Sequence, residues 1–201
     1  MRARLLQAAF EEFYRNGFQG GSINRIVEKA GATKGALFHY FKTKAELGYA
    51  VVEEVIQPLG HQRWIAPLTG ARDPVGAIQE TFRRNLREDA ANPAVLAQGC
   101  PTNNLAQEMS PIDEGFRLRI EACYASWREA LTEALARARK QGQIRDDVSP
   151  RAVAALIVAA QMGIWGAAKN SQDPKLMMRA GAALHRVLDG LRLSGRRAAR
   201  G

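Results

Sequence analysis

The stretch Ser22-Ile23-Asn24-Arg25-Ile26-Val27-Glu28-Lys29-Ala30-Gly31-Ala32-Thr33-Lys34-Gly35-Ala36-Leu37-Phe38-His39-Tyr40-Phe41-Lys42-Thr43-Lys44 decides how this chain is read. Three helix-capping residues, Ser22, Thr33 and Thr43, divide it. Ser22 opens a short helix with Ile23, Ile26, Val27 and Ala30 on its inward face, and Gly31 breaks it. Thr33 opens a second helix, from Lys34 to about Tyr40. Thr43 opens a longer one carrying Leu47, Val51, Val52 and Val55, where Glu46 completes a capping-box pattern. A preceding helix, Arg2 to Asn16, bears Leu5, Leu6, Ala9, Phe10 and Phe13 on one stripe and stops at Gly17. The two short helices joined by Ala30-Gly31-Ala32 make a helix-turn-helix: the glycine supplies the tight turn, and the apolar residues pack both helices against the first.

Packed in this way, the second helix of the motif turns Thr33, Lys34, Gly35, Ala36, His39 and Tyr40 outward. A helix fits the major groove of B-DNA, and small residues at 35 and 36 let its backbone approach the duplex. Lys34 and Lys44 can neutralise phosphates, Tyr40 and Thr33 can donate hydrogen bonds to them, and the helix starts at Ser22, Thr33 and Thr43 present free amides to the same oxygens. Arg25, on the outer side of the first motif helix, can reach a phosphate or a base edge, or simply be solvated. The bland alternative is a small helical bundle with a charged face.

Charge distribution favours the nucleic-acid reading. The 201 residues carry 29 Lys and Arg against 20 Asp and Glu, a net +9. Residues 1–50 hold +4 and the last ten another +4, through Arg192, Arg196, Arg197 and Arg200, which leaves +1 for everything between. A basic head, a near-neutral body and a basic tail point to nucleic acid first and an anionic membrane surface second. With 46% hydrophobic and 24% charged residues the chain can bury a core, so disorder is excluded as its main state. No apolar run of membrane-spanning length and no export signal is read from the sequence, and a cytoplasmic protein is expected. Cys100 and Cys123 are too few for a disulfide framework or a four-ligand metal site, and the three histidines are scattered. No nucleophile elbow, phosphate-cradling loop or His/Glu metal spacing occurs, so no catalytic residue, metal or cofactor is expected.

The rest of the chain also reads as helix, giving an all-α protein of about nine helices. Its expected domains are a helix-turn-helix domain at 1–48, a helical domain at 49–193 and a basic, disordered tail at 194–201. Pro58, Pro67 and Gly70 bend or end the helix that leaves the motif. Asp73 and Pro74 open another to about Ala91, with Val75, Ile78, Phe82 and Leu86 inward. Prolines at 93, 101 and 111 and Gly99 restrict residues 92–111 to short pieces. Residues 112–141 form a long helix striped by Phe116, Ile120, Cys123, Tyr124, Trp127, Leu131 and Leu135, roughly 45 Å at 1.5 Å per residue. An Ala-rich helix follows from Ser149 and Pro150 to about Lys169, and a last one runs from Asp173 to Leu193.

The proline-punctuated break beside an aromatic-striped helix is where a cavity can form. Trp64, Phe82, Leu86, Cys100, Asn104, Met109, Phe116, Cys123, Tyr124, Trp127, Met162 and Trp165 are its candidate lining, suited to a small, mostly apolar or aromatic effector. Core packing is the alternative for each. Either cysteine could instead react with an electrophilic or oxidising inducer. The final two helices are too apolar for a monomer's surface, so Val153, Leu156, Ile157, Ala160, Ile164, Leu184, Val187, Leu188 and Leu191 are expected to pair across a two-fold axis as a four-helix bundle.

Gly17-Phe18, Ser22-Ile23, Ile26, Ala30-Gly31, Gly35, Leu37-Phe38-His39-Tyr40-Phe41 and Lys44 with Leu47 resemble the N-terminal signature of the tetracycline-repressor (TetR) family of bacterial transcription regulators, over about 50 residues. Gln98-Gly99-Cys100, Asn104-Leu105-Ala106 and Glu108 look like a segment of one sub-branch. The resemblance implies an all-α homodimer whose three-helix heads bind a palindromic double-stranded operator, whose body holds a ligand pocket and whose last two helices dimerise. It gives Thr33, Lys34, Gly35, Ala36 and His39 as groove-facing residues and Tyr40, Lys44 and Ser22 as phosphate contacts. Val27 and Phe38 depart from the family's usual alanine and tyrosine, at positions expected on the packing face. The implied function is a repressor released by a small-molecule effector, with the helix after Thr43 as lever. Its rival is an activator or architectural DNA-binding protein without a ligand.

Overall fold

The computed structural model describes residues 1–193; the tail at 194–201, expected to be disordered, lies outside the described residues. Among the described residues there is no strand, only an isolated bridge pairing Ile144 with Arg192. The helices of six residues or more are α1 (Arg2–Gly20), α2 (Ile23–Lys29), α3 (Lys34–Tyr40), α4 (Lys44–Val51), α5 (Pro74–Ala90), α6 (Pro93–Gln98), α7 (Pro101–Met109), α8 (Glu114–Lys140), α9 (Pro150–Ser171) and α10 (Pro174–Asp189). After α4 the backbone stays helical through π-helical turns at Val52–Ile56 and His61–Ile65. A π-turn takes an extra residue and rotates the inward face. Ile56 is accordingly buried where Val55 was expected.

The chain divides into two compact units, Met1–Gly60 with Cys100–Cys123, and His61–Gly99 with the chain from Tyr124 onward. The first unit thus includes α7 and the start of α8, which the expected cut at residue 48 assigned to a separate domain. Its core is Leu5, Leu6, Ala9 and Phe13 of α1 against Ile26, Leu37, Leu47 and Val51. The expected stop at Gly17 is a kink: Gly17 sits at φ 74°, ψ 168°, and one more helical turn continues to Gly20. Glu108 of α7 closes this kink, its carboxylate accepting from the Phe18 and Gln19 amides at 2.9 and 2.8 Å. Phe18 packs edge-on against Phe116 with centroids 4.6 Å apart. A Cβ on Gly48 would stand 2.5 Å from Phe116 and 2.7 Å from Phe18, so only glycine fits beneath this pair. Tyr49 donates to Asp113 at 2.8 Å, and Asp113 caps α8 by accepting from the Phe116 amide at 2.9 Å.

In the second unit α5 packs on α6 and α10, and α9 on α6 and α10. Asp73 caps α5, accepting from Gly76 at 3.0 Å, and also takes Arg192 at 3.0 Å. Helix α10 ends at Asp189, earlier than Leu193, because the chain turns at Gly190 and Arg192 pairs with Ile144. Helix α9 departs from one reading: by length and composition it could cross a membrane, a test that core helices also pass, and a third of that stretch is buried in the structure. Its apolar stretch is built mainly from alanine, and its one central polar residue, Gln161, points inward at 2% exposure.

Candidate nucleic-acid interface and effector region

Helices α2 and α3 form the motif as expected. Ser22 caps α2 by accepting from the Arg25 amide at 3.5 Å, and Thr33 caps α3 by accepting from Ala36 at 3.1 Å. Gly31 takes φ +59° in the turn, a left-handed conformation that a side chain would strain. Leu37 is the one fully buried side chain of α3. Burying it contributes about 1.5–3 kcal/mol and fixes which way the helix faces. Thr33, Lys34, Gly35, His39 and Tyr40 are exposed and Ala36 is half-buried, so α3 presents all six on its outer side. The rings of His39 and Tyr40 meet edge-on at 5.2 Å.

Phe38 corrects the sequence reading. It is 40% exposed and lies on the outer side of α3, whereas Val27 is on the packing face as expected. Successive helical positions lie about 100° apart, and with Leu37 as the buried anchor the Phe38 position falls outside the packed stripe.

Two of the candidate cations are already engaged. Arg25 Nε donates to Glu12 at 2.8 Å and its Nη2 to the Gly20 carbonyl at 3.1 Å. Burial tends to raise the Glu12 carboxyl, but Arg25 and the Ser22 amide outweigh it and hold Glu12 below the usual range. Lys44 donates to the Gln19 carbonyl at 3.1 Å and lies 4.9 Å over the Phe18 ring. Burial lowers its pKa. Thr43 accepts from Glu46 at 3.0 Å, while the Glu46 carboxylate accepts from Lys42 at 2.7 Å, so the expected capping box closes one residue earlier than its usual partner.

The twelve effector candidates divide between the units. Cys100, Asn104, Met109, Phe116 and Cys123 belong to the first, and Trp64, Phe82, Leu86, Tyr124, Trp127, Met162 and Trp165 to the second. In the second unit Trp64 packs on Phe82, Trp127 and Trp165 with centroids at 5.0, 4.8 and 5.4 Å. Trp165 donates to Asp89 at 2.7 Å, and Arg63 reaches the same carboxylate at 2.9 Å. Asn85 and Gln161 are buried beside this region on the same helices, each with its side-chain oxygen unsatisfied. The sequence reading did not single out Asp89, Asn85 or Gln161. Their spacing from Phe82 and Trp165, three to seven residues along one helical face, was the available signal. In the first unit burial raises the Cys123 thiol to about 11, which leaves little thiolate at neutral pH and argues against reactivity there.

The expected dimer residues also separate. Ile157, Ile164, Leu184 and Leu188 are buried inside the second unit, so they serve its own core and are unavailable to a partner. Leu156 and Val187 are each 52% exposed, Val153 and Ala160 are half-buried, and Leu191 lies in the turn after α10. Alanines 152, 155, 159 and 167 and Gly163 extend the exposed strip along α9.

These features meet independent likenesses. Residues 5–51 match the family model of bacterial regulatory proteins, tetR family, and residues 76–184 match the tetracyclin repressor-like C-terminal domain. The chain is 27% identical to the transcriptional regulator AcuR of Cereibacter sphaeroides, over 75% of this chain and 68% of that one. It is 24% identical to the HTH-type transcriptional repressor DhaR of Mycobacterium sp. strain GP1, over 81% and 79%. A TetR transcriptional regulator from Chloroflexus aurantiacus superposes with a TM-score of 0.85 at 26% identity, covering 96% of each chain. The matched families and relatives are regulators and not enzymes. With a helix-turn-helix matching the tetR family model over residues 5–51 and a helical body matching its C-terminal domain over 76–184, the chain belongs to the TetR family of bacterial transcriptional regulators.

Proposed function

We propose that this protein is a cytoplasmic, ligand-responsive repressor that binds a palindromic operator as a homodimer and releases it when a small, mostly apolar or aromatic effector binds. The observation that carries the DNA half is α3: one anchor, Leu37, and an outer side of Thr33, Lys34, Gly35, Ala36, His39 and Tyr40. Gly35 and Ala36 admit close approach to base edges, while Lys34, Tyr40 and the amide at Thr33 take phosphates; the Ser22 amide, which donates to Glu12 at 2.9 Å, reaches one only by leaving that carboxylate. Arg25 positions the motif through Glu12 before it contacts DNA. Lys44 reaches a phosphate only by leaving the Gln19 carbonyl.

The homodimer is supported by the exposed strip of α9, with Leu156, and by Val187 of α10. Small residues at spacings of three and four let two helices approach closely, and nothing lies within 4 Å of a Cβ placed on Gly163. A two-fold axis would then set two α3 helices about one duplex turn, ~34 Å, apart. Effector and operator compete through one two-state equilibrium. The test is a gel shift and footprint on the DNA flanking the protein's own gene, repeated with small apolar and aromatic compounds. Footprinting of a preferred palindrome with compound-dependent release supports the reading; broad footprinting without preference sinks it in favour of an architectural binder.

A further inference from the structure

We infer that the second unit carries, between α5 and α10, a cleft for a small organic anion with an apolar body. This names the chemistry of the effector, and its regulatory meaning rests on the repressor reading, whereas binding itself does not. The cleft has a volume of about 360 Å³, at the lower end of the ~300–1,000 Å³ typical of small-molecule sites. Phe82 and Leu86 of α5 and Leu184 and Leu188 of α10 line it, all of them buried. Gly181 lets the helices meet, since a Cβ there would stand 2.2 Å from a Leu86 methyl carbon.

The charged groups of the lining are all basic: Arg83, Arg87 and Arg186, with His185 beside them and no carboxylate. Arg83 is paired with Glu80 and lies 3.2 Å from the His185 ring. Asp189, one residue beyond Leu188, is taken by the Gln79 amide at 2.9 Å and stands 3.9 Å from His185. Arg87 and Arg186 make no side-chain hydrogen bond or ion pair among the described residues. Two unmatched guanidiniums above an apolar floor fit a carboxylate, which accepts two parallel N–H bonds from such a fork, carried on an alkyl or aryl body. Both arginines also stand in the last turns of their helices, where a cation opposes the carbonyl end of the dipole. That role would need no ligand, and it predicts different outcomes.

Phe82 joins the cleft to the tryptophans, with centroids 5.0 Å from Trp64, 6.3 Å from Trp127 and 6.4 Å from Trp165. Since the chain has three tryptophans, its intrinsic fluorescence reads this one region. The full chain is titrated with decanoate below its micellar range, and with decanol and decyltrimethylammonium as uncharged and cationic matches. Decanoate should give a saturable fluorescence change and calorimetric heat, with both controls about tenfold weaker or more. Arg87→Gln with Arg186→Gln should weaken decanoate by about tenfold or more. Ala182→Trp, at an exposed position of the lining, should block the cleft without disturbing the core. Equal binding of the three probes, or unchanged decanoate affinity in either variant, overturns the inference. Should the arginine variant only melt earlier while Ala182→Trp still binds decanoate, the helix-end role suffices and the site is lost. Binding without operator release would keep the site and sink its effector role; operator binding without decanoate binding would keep the repressor and sink the site.

Discussion

Helix α3 buries Leu37 and leaves Lys34, Phe38, His39 and Tyr40 exposed, whereas α9 is almost wholly apolar and still leaves Ala155, Leu156, Ala159, Gly163 and Ala167 exposed. Each helix presents a surface its own unit does not cover, but water treats the two differently. Most of the outer residues of α3 are polar or small and lose nothing in solvent. The strip on α9 forgoes about 25 cal/mol for each Å² of apolar surface left wet. On the proposed reading, the α9 face should therefore be covered permanently by a second copy, and the α3 face should be free to gain and lose its partner.

The comparison breaks most visibly if α9 is made polar. Leu156→Glu with Val187→Glu should convert the dimer to monomer in sedimentation, and operator affinity should fall by about 10²-fold or more because the two half-sites no longer act together. A variant that stays dimeric, or a monomer that binds the full operator unchanged, removes the α9 face from the interface. A smaller effect distinguishes the cations of the first unit. Lys34→Ala should lower affinity by about five- to tenfold and flatten the salt dependence by about one unit of slope. Lys44→Ala should instead lower stability, since it vacates the Gln19 carbonyl, and change the slope less. The reverse pattern would exchange their roles.

The smallest expected effect lies in acid. The Phe116 amide first, and then the Tyr49 hydroxyl, hold Asp113 below its ordinary value of 3.8. A depressed carboxyl stabilises above that value, and the contribution is lost as pH falls through the lowered one. Tyr49→Phe should thus be less stable than the parent at neutral pH by about 0.5–1.5 kcal/mol, and the gap should narrow as the pH is taken below 3.8 and through the lowered value. Denaturant titrations at neutral pH and in that acid range check this, and a gap that persists in acid would assign it to packing.

Helix placement was legible because its signals are local. Ser22, Thr33, Asp73, Ser149 and Asp173 all cap helices in the structure, and a cap needs only its own side chain and the amides just beyond it. The reach of the first unit was not legible. Nothing near Gly17 in sequence says that Glu108 will close its kink or that Phe116 will sit over Gly48. Periodicity likewise showed that α9 and α10 are apolar without showing which apolar residues each unit keeps for itself. Ile157 and Leu156 are neighbours in sequence, yet one is core and the other surface. The cationic cleft escaped for a related reason: Arg83, Arg87 and Arg186 lie on two helices a hundred residues apart, and only packing brings them together.

The Glu108 carboxylate over the Phe18 and Gln19 amides has a consequence for how the protein is made. During synthesis α1 and the motif helices leave the ribosome before α7, and the acceptor that closes α1 lies about ninety positions beyond Phe18, with Phe116 after it. The last turn of α1 therefore stays without its acceptor until α7 has emerged. A nascent or truncated chain ending between α4 and α7 would expose the motif without the Glu108 and Phe116 contacts that finish α1.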